Sequence, residues 1–512
     1  MPDVQQSPAA SGARPATTVQ SPALGERKLT TVHAIGQSLA IGPMFSAGLL
    51  TSLIAAQAGW NTPLSTLLGM IGVLCLAYVV VLYARRYAGA GAIYEYLTRG
   101  GNRDVGVFAA GAYAIGMLFL GAGGVVIGIG FLTNGVFAAH LSSIDIPWWV
   151  WGCVAVFIPT ALNHFGVRLA VRGVLMLAMI SAIPFVILVV AILIDGGHGH
   201  TLSVFDPGQT STHDVFFGIL FAVTLFIGFE AAASLGEETE NPKRSIPIAA
   251  LGSVALCGIF YLFVTYAATI GFGKAGIAKW PGDPAPMGTL ATQYVGKGLA
   301  TIIDLVIILD AISLSIAFVV GCSRVIFALS RDGLLPKPLA TTTRNETPLG
   351  ANAVIVVVGL LFVLWAGVTH YGDAVKLPNE FQAFLITASA GSFLIELVYF
   401  LLAIFAFRLA MRSGPGAWWR MLVVLVAAAT PVAAYYGALH PWPTYPNNRG
   451  IIFTIVCVVI VLLWVAYEHT RHPDRIRNAA AHAEEHHGVA PLDETLDFDP
   501  GSGPEPVIGP AH

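Results

Sequence analysis

LFIGFEAAASLGEETENPKRSIP, residues 225–247, decides how this chain is read. It places Gly228 and then Glu230 inside an apolar run long enough to cross a bilayer. A membrane helix avoids both. A carboxylate near the bilayer centre costs at least about 2.5 to 3.5 kcal/mol on insertion scales, and Gly loosens the helix where the acid sits. The default reading is a functional site. The alternative is a tolerated kink whose Glu caps a neighbouring helix.

The surrounding chain sets the class. Of 512 residues, 56% are hydrophobic and only 11% charged, and mean hydropathy is +0.74, values that exclude a soluble enzyme. The composition implies an all-α integral membrane protein. Apolar runs of about twenty residues give twelve spans, near 31–56, 64–87, 105–133, 147–165, 170–195, 214–235, 246–271, 292–327, 350–369, 381–407, 417–439 and 450–468. Twelve is even, so both termini share a side. On this map 21 of the 26 Lys and Arg fall on that side, and the positive-inside rule makes it cytoplasmic. The expected location is a multi-pass protein of the plasma membrane with both termini in the cytoplasm.

Residues 1–30 are rich in Ser, Ala, Pro and Gln without an apolar core, and read as a disordered cytoplasmic tail rather than a signal peptide. Residues 469–512 read as a second disordered cytoplasmic tail. Its HAEEHH run, residues 482–487, lacks a defined partner set and reads as solvated chain, so neither a metal nor a cofactor is expected. Five cysteines lie singly within spans and imply no disulfide.

Span 1 carries its own interruption. GQSLAIGPMFSAG, residues 36–48, has Gly42 and Pro43 at its middle. Proline removes an N–H and clashes with the preceding turn, so the helix stops near Ile41 and restarts at about Pro43, which suits a first helical position. Spans 1 and 6 are thus both broken near mid-membrane, five spans apart. Five is odd, so two five-span halves must be inverted, which points to a 5+5 inverted-repeat secondary transporter with substrate at the two breaks. The second half of span 1 offers N–H groups and a positive dipole end, suited to a carboxylate. The first halves of spans 1 and 6 end in carbonyls, suited to an ammonium. A small zwitterion satisfies both.

Four stretches carry a family resemblance over about residues 31–338: FIGFEAAASLGEETENPKRSIP (226–247), AGAIYEYLTRG (90–100), NHFGVRLAVRG (163–173) and SRVIFALSRDGLLPKPL (323–339). With these the sequence resembles the amino acid, polyamine and organocation permease superfamily. The resemblance implies a leucine-transporter-like fold, a ten-helix transport core over 31–407, peripheral spans 11 and 12 over 408–468, and alternating access. It implies substrate contacts at Ile41, Gly42, Pro43, Met44, Phe45 and Ser46 on span 1, and at Phe226, Ile227, Gly228 and Phe229 on span 6. Gly121 and Gly124 on span 3 and Phe318 on span 8 complete the set. Two departures stand out. Gly-Pro-Met takes the place of the relatives' small triplet in span 1, so one donor to a carboxylate is missing. Where several proton-coupled relatives hold a lysine in span 5, this chain has Ser181, so a lysine-based proton switch is not expected.

Candidate proton-coupling groups are Glu230 and Asp310, with Asp304 and Glu396 as further intramembrane acids. Glu230 ranks first because it sits on the interruption itself. A rival cation site joins Asp310 and Ser313, three apart on one helical face, with Ser181 and carbonyls of span 1. Against it, hydroxyls in membrane helices commonly bond their own backbone. The favoured function is proton-coupled import of an amino acid or closely related amine. An amino acid exchanger or a sodium-coupled symporter is the alternative, and a channel or membrane receptor on the same fold is the alternative class. No His-rich metal box, nucleophile motif or phosphate loop within the spans supports an enzyme. The expected partners are a small-molecule substrate, a proton or sodium ion and the bilayer, with no nucleic acid.

Overall fold

The computed structural model describes residues 29–39, 42–87, 91–140, 146–165, 167–236, 238–343, 347–369, 377–411 and 418–479. Ile41 and the HAEEHH run therefore lie outside the described residues. Apart from two isolated bridges, the regular structure of the described residues is helical. Span 1 is built from Thr31–Leu39 and, after the break, the continuous pieces Pro43–Phe45, Ser46–Leu50 and Thr51–Ala58. Spans 2 to 5 are Thr62–Ala84, Arg103–Met117 running on to Val126–His140, Trp148–Phe165 and Val167–Asp195. Span 6 comprises Thr212–Thr224 and the short 3-10 turn Ala231–Leu235. Spans 7 to 12 are Pro242–Gly276, Lys297–Arg331, Leu349–Val368, Asn379–Met411, Trp418–Leu439 and Asn447–Arg471.

Among the described residues, eight helical stretches are each long and apolar enough to cross a membrane, and the first, Thr31–Ala84, contains spans 1 and 2. Nine of the twelve expected spans lie in those eight. Of the other three, span 4 is Trp148–Phe165, and spans 5 and 6 contain the shorter apolar stretches Met179–Asp195 and Thr212–Thr224. Local chemistry sets several helix starts. Asn102 Oδ1 accepts from Asp104 N at 2.9 Å to open span 3, and Ser211 Oγ accepts from Asp214 N at 3.1 Å to open span 6.

Lipid gives helices no hydrophobic drive to associate, so close packing of small residues must hold the bundle together. Gly69 of span 2 meets Ala222 of span 6, and Gly391 of span 10 meets Leu120 of span 3. Gly437 of span 11 lies against the backbone of Phe216 and Phe217. Spans 5, 9, 11 and 12 turn large apolar groups outward, among them Ile183, Leu364, Leu425 and Leu463, as a lipid-facing surface requires.

Order extends further at both ends than the composition implied. Leu29 and Thr30, expected within the tail, are placed: Leu29 N donates to Glu238 O and Glu240 N donates to Leu29 O, both at 2.9 Å. At the other end the helix passes His469 to Arg471 and a short helix, Pro473–Arg477, follows, with Arg475 paired to Glu468 at 3.3 Å. The Leu29 pairing joins segments far apart in sequence, which local composition cannot show.

Beside the Leu29 pairing, Arg324 of span 8 is fully buried. Its Nε donates to Glu238 Oε1 at 2.8 Å and its Nη1 to Val320 O at 3.1 Å. Removing one member of such a pair strands the other, at a cost of about 3 to 5 kcal/mol. Arg324→Met is therefore expected to lower the unfolding temperature in detergent sharply, and Arg324→Met with Glu238→Leu to recover most of the loss. Equal melting of the single variant and the parent would refute this account of the pair.

Candidate functional site

The two interruptions form because their sequences cannot continue a helix. At span 1, Gly42 takes the left-handed conformation, φ 60° and ψ 62°, and Pro43 opens the second half as its first helical residue. At span 6 the helix ends at Thr224, residues 225–230 run as successive turns, and Gly228 adopts φ 112°. The unwound stretch starts two residues before the expected Ile227. The breaks face one another: Ser38 Oγ donates to Phe229 O at 2.7 Å, and Ala34 of span 1 packs with Ala232 just past the span 6 break.

Glu230 is buried in the middle of this junction with both oxygens engaged. Oε1 accepts from the Tyr113 hydroxyl of span 3 at 2.6 Å, and Oε2 accepts from Gly228 N at 3.1 Å. Tyr399 of span 10 faces the same carboxyl, and its ring lies 5.6 Å from that of Phe229, centroid to centroid. The acid thus ties its own unwound loop to span 3. Among the described residues it caps no neighbouring helix: its partners are a hydroxyl of span 3 and the N–H of its own loop.

Asp310 reaches across from span 8 to the other break. Its Oδ2 accepts from Met44 N at 2.8 Å and from Phe45 N at 2.9 Å. Ser46 N already donates to Gly42 O at 2.8 Å, and Pro43 has no N–H. The expectation that the restarted helix offers free donors to a substrate carboxylate therefore does not hold: each N–H from position 43 to 46 is absent or bonded within the chain. Asp310 Oδ1 has no protein partner among the described residues.

The remaining expected contacts fall as follows. Phe45, Phe226, Ile227 and Phe229 are buried in the core around the breaks. Gly121 and Gly124 lie in a widened helical stretch, Leu118–Val125, where backbone hydrogen bonding is looser. A Cβ on Gly121 would come within 2.7 Å of Phe318 Cγ, so the absence of a side chain lets the span 8 aromatic close on span 3. Both residues line a cavity of about 20 Å³ between spans 3, 4, 8 and 9. Ser313 Oγ donates to Leu309 O at 3.4 Å, its own helix backbone, while Ser181 Oγ is buried without a protein partner among the described residues. Glu396 is buried with neither oxygen bonded in the described structure, three residues before Tyr399.

A family profile described as "Amino acid permease" matches residues 31–465. The chain belongs to the amino acid permease family. Among its relatives, the branched-chain amino acid permease BcaP of Bacillus subtilis is 27% identical over 380 residues, 69% of this chain and 78% of the relative. The putrescine transporter PotE of Escherichia coli is 24% identical over 339 residues, 64% of this chain and 72% of the relative. Among solved structures, that of MhsT in complex with L-phenylalanine superposes with a TM-score of 0.55 at 17% identity, covering 81% of this chain and 99% of MhsT. That likeness concerns the fold, a leucine-transporter-type bundle.

Membership of the permease family leaves several groups at the breaks that the sequence reading did not single out. Tyr113 and Tyr399 were invisible among scattered aromatics, although a buried Tyr needs a partner for its hydroxyl and so carried a weak signal. Arg324, a basic residue within an apolar run, carried a stronger one. The Asp310 cap spans 266 residues and no local pattern encodes it.

The geometry at Gly42 yields a separable prediction. A side chain there must adopt a left-handed backbone, at roughly 1 to 2 kcal/mol, and its Cβ would lie 2.7 Å from Leu314 Cβ. Gly42→Ala should lower the unfolding temperature, and adding Leu314→Ala should recover only the part of the clash made with Leu314 Cγ and Cδ2, 3.2 and 3.1 Å away, because Cβ stays. Full recovery in the double variant would show that backbone conformation contributes nothing.

Proposed function

We propose that the chain is a secondary transporter importing an amino acid or closely related amine across the plasma membrane, both termini cytoplasmic, by alternating access coupled to protons. The observation that carries this reading is the junction itself, two interrupted helices bonded to each other through Ser38 and Phe229, with a buried carboxyl spanning one break. Family relatives named for branched-chain amino acids and for putrescine support both halves of the substrate class.

The work is within reach of an ordinary gradient. One net charge moving through about 100 mV gains about 2.3 kcal/mol, on the order of 50-fold accumulation. Glu230 is the proposed coupling group. While ionised it holds Gly228 N–H and the Tyr113 hydroxyl; once protonated it has one fewer oxygen to accept with, so the loop and span 3 are held less tightly. Protonation and the opening of the break thereby become one event.

A sodium-coupled reading draws on Ser181 Oγ and Asp310 Oδ1, two buried oxygens without protein partners among the described residues. Uptake by the purified chain in liposomes under separately imposed proton and sodium gradients distinguishes the two. Exchange independent of both gradients would instead support an antiporter.

Glu230→Gln keeps an acceptor for Tyr113 but cannot cycle a proton. The expected result is a folded protein whose uptake is at least about tenfold slower or flat across pH 5 to 8. Retention of the parent's pH profile would remove Glu230 from the coupling mechanism.

A further inference from the structure

Glu396 lies near the middle of span 10, fully buried, and neither of its oxygens meets a protein donor among the described residues. The cations of spans 2, 3, 6, 10, 11 and 12 are confined to the span ends. A carboxylate in such a place carries an uncompensated desolvation cost, so the group keeps its proton. Glu230 is the opposite case. Two donors, the Tyr113 hydroxyl and Gly228 N, answer its negative charge.

The face of span 10 that carries Glu396 runs along the span 6 break. One turn earlier, Ser392 is bonded to Thr224, the last helical residue of span 6, at 2.8 Å. Three residues later, Tyr399 stands against Phe229 and faces the Glu230 carboxyl. Positions three or four apart on a helix are neighbours, about 5 to 6 Å between Cβ atoms. Glu396 therefore sits between two contacts that bracket the unwound residues 225–230.

The Tyr399 hydroxyl is buried, lies within electrostatic reach of Glu230 and Glu396 alike, and forms no well-aligned hydrogen bond among the described residues. The other titratable groups packed around Glu396 lead no further. Tyr435 of span 11 gives its proton to Phe393 O, and Tyr83 of span 2 gives its own to Leu402 O. Tyr113 of span 3 is bonded to Glu230, and span 12 brings no acid or base to its middle beyond the Cys457 thiol.

We propose that Glu396 is the proton store for Glu230, the two acids being joined by the Tyr399 hydroxyl. The chain runs one way: the neutral Glu396 carboxyl donates to Tyr399 Oη, and the Tyr399 O–H donates to the Glu230 carboxylate. Transfer is a shift of two protons. The Glu396 O–H bond breaks as its proton joins the Tyr399 oxygen, and the Tyr399 O–H bond breaks as its own proton joins Glu230. Negative charge passes from Glu230 to Glu396 and no other bond changes. The donors at Glu230 hold the charge there in this conformation, and the shift follows when the break loosens and they withdraw. This rests on the reading of Glu230 as the coupling group and names the source of its proton.

The test uses the full-length chain, purified and kept in lipid. Infrared spectra at neutral pH, in water and in heavy water, read the carbonyl stretch of protonated buried carboxyls without any substrate. Glu396→Gln should remove one such band that Glu230→Gln leaves in place. Glu396→Asp should shift that band, which reads the same group should the amide variant fail to fold. A spectrum that neither change at Glu396 alters shows the carboxyl ionised and overturns the inference, whatever the chain transports.

Transport supplies the second arm. The proteinogenic amino acids and putrescine are offered to proteoliposomes with and without an imposed proton gradient. Proton-driven uptake should fall at least about tenfold in Glu396→Gln and recover in part in Glu396→Asp. The losses from Glu396→Gln and Tyr399→Phe should not add in the double variant, because one chain of groups carries both. Parent-like proton-driven uptake by Glu396→Gln, or additive losses, overturns the inference and leaves the Glu230 reading standing. If no solute is driven into the parent's liposomes by protons, the Glu230 reading falls and the inference falls with it.

Discussion

Breaking a helix inside lipid frees backbone groups that no water can satisfy, and each unsatisfied group costs several kcal/mol. Everything specific about this chain follows from how it meets that constraint twice. At the span 6 break, Gly228 N turns to the side chain of Glu230 and Phe229 O to the hydroxyl of Ser38. At the span 1 break, Met44 N and Phe45 N turn to Asp310. Polar side chains too costly for an ordinary membrane helix become affordable because each answers a backbone group that would otherwise be alone.

These bonds also determine which elements move together. Asp310 ties the second half of span 1 to span 8, and Ser38 ties its first half to span 6. Glu230 ties span 6 to span 3. A second set of ties lies toward the N-terminal end of span 1. Leu29 exchanges two backbone bonds with Glu238 and Glu240, and Arg324 of span 8 bonds the same Glu238. Glu238 is thus shared between the segment leading into span 1 and the end of span 8, and any motion that separates spans 1 and 6 from span 8 on that side must break a buried ion pair. Such a latch is costly to open in part and cheaper to open as a unit, which favours discrete conformations over gradual ones.

The span pattern and both breaks were legible in the sequence because each is encoded locally. Twenty apolar residues announce a span, and Gly-Pro or an acid in an apolar run announces an interruption. The partners at the breaks were not legible. Glu230 meets Tyr113 across 117 residues and Met44 meets Asp310 across 266, distances at which only the packed fold supplies information. The same limit explains the donors at span 1. Local physics counted the N–H groups correctly and noticed that Pro43 removes one, but the count of free donors depends on what the rest of the bundle brings near. It also explains Leu29, whose placement rests on backbone bonds to Glu238 and Glu240 rather than on its own composition.

The two buried acids at the breaks differ in how their oxygens are engaged. Both oxygens of Glu230 are engaged, one by a neighbouring span and one by the loop that carries it, so a change in its protonation acts on the shape of the junction. Asp310 is half engaged: one oxygen holds the restarted helix while the other has no protein partner among the described residues. A group whose bonds are all internal is suited to coupling a proton to conformation.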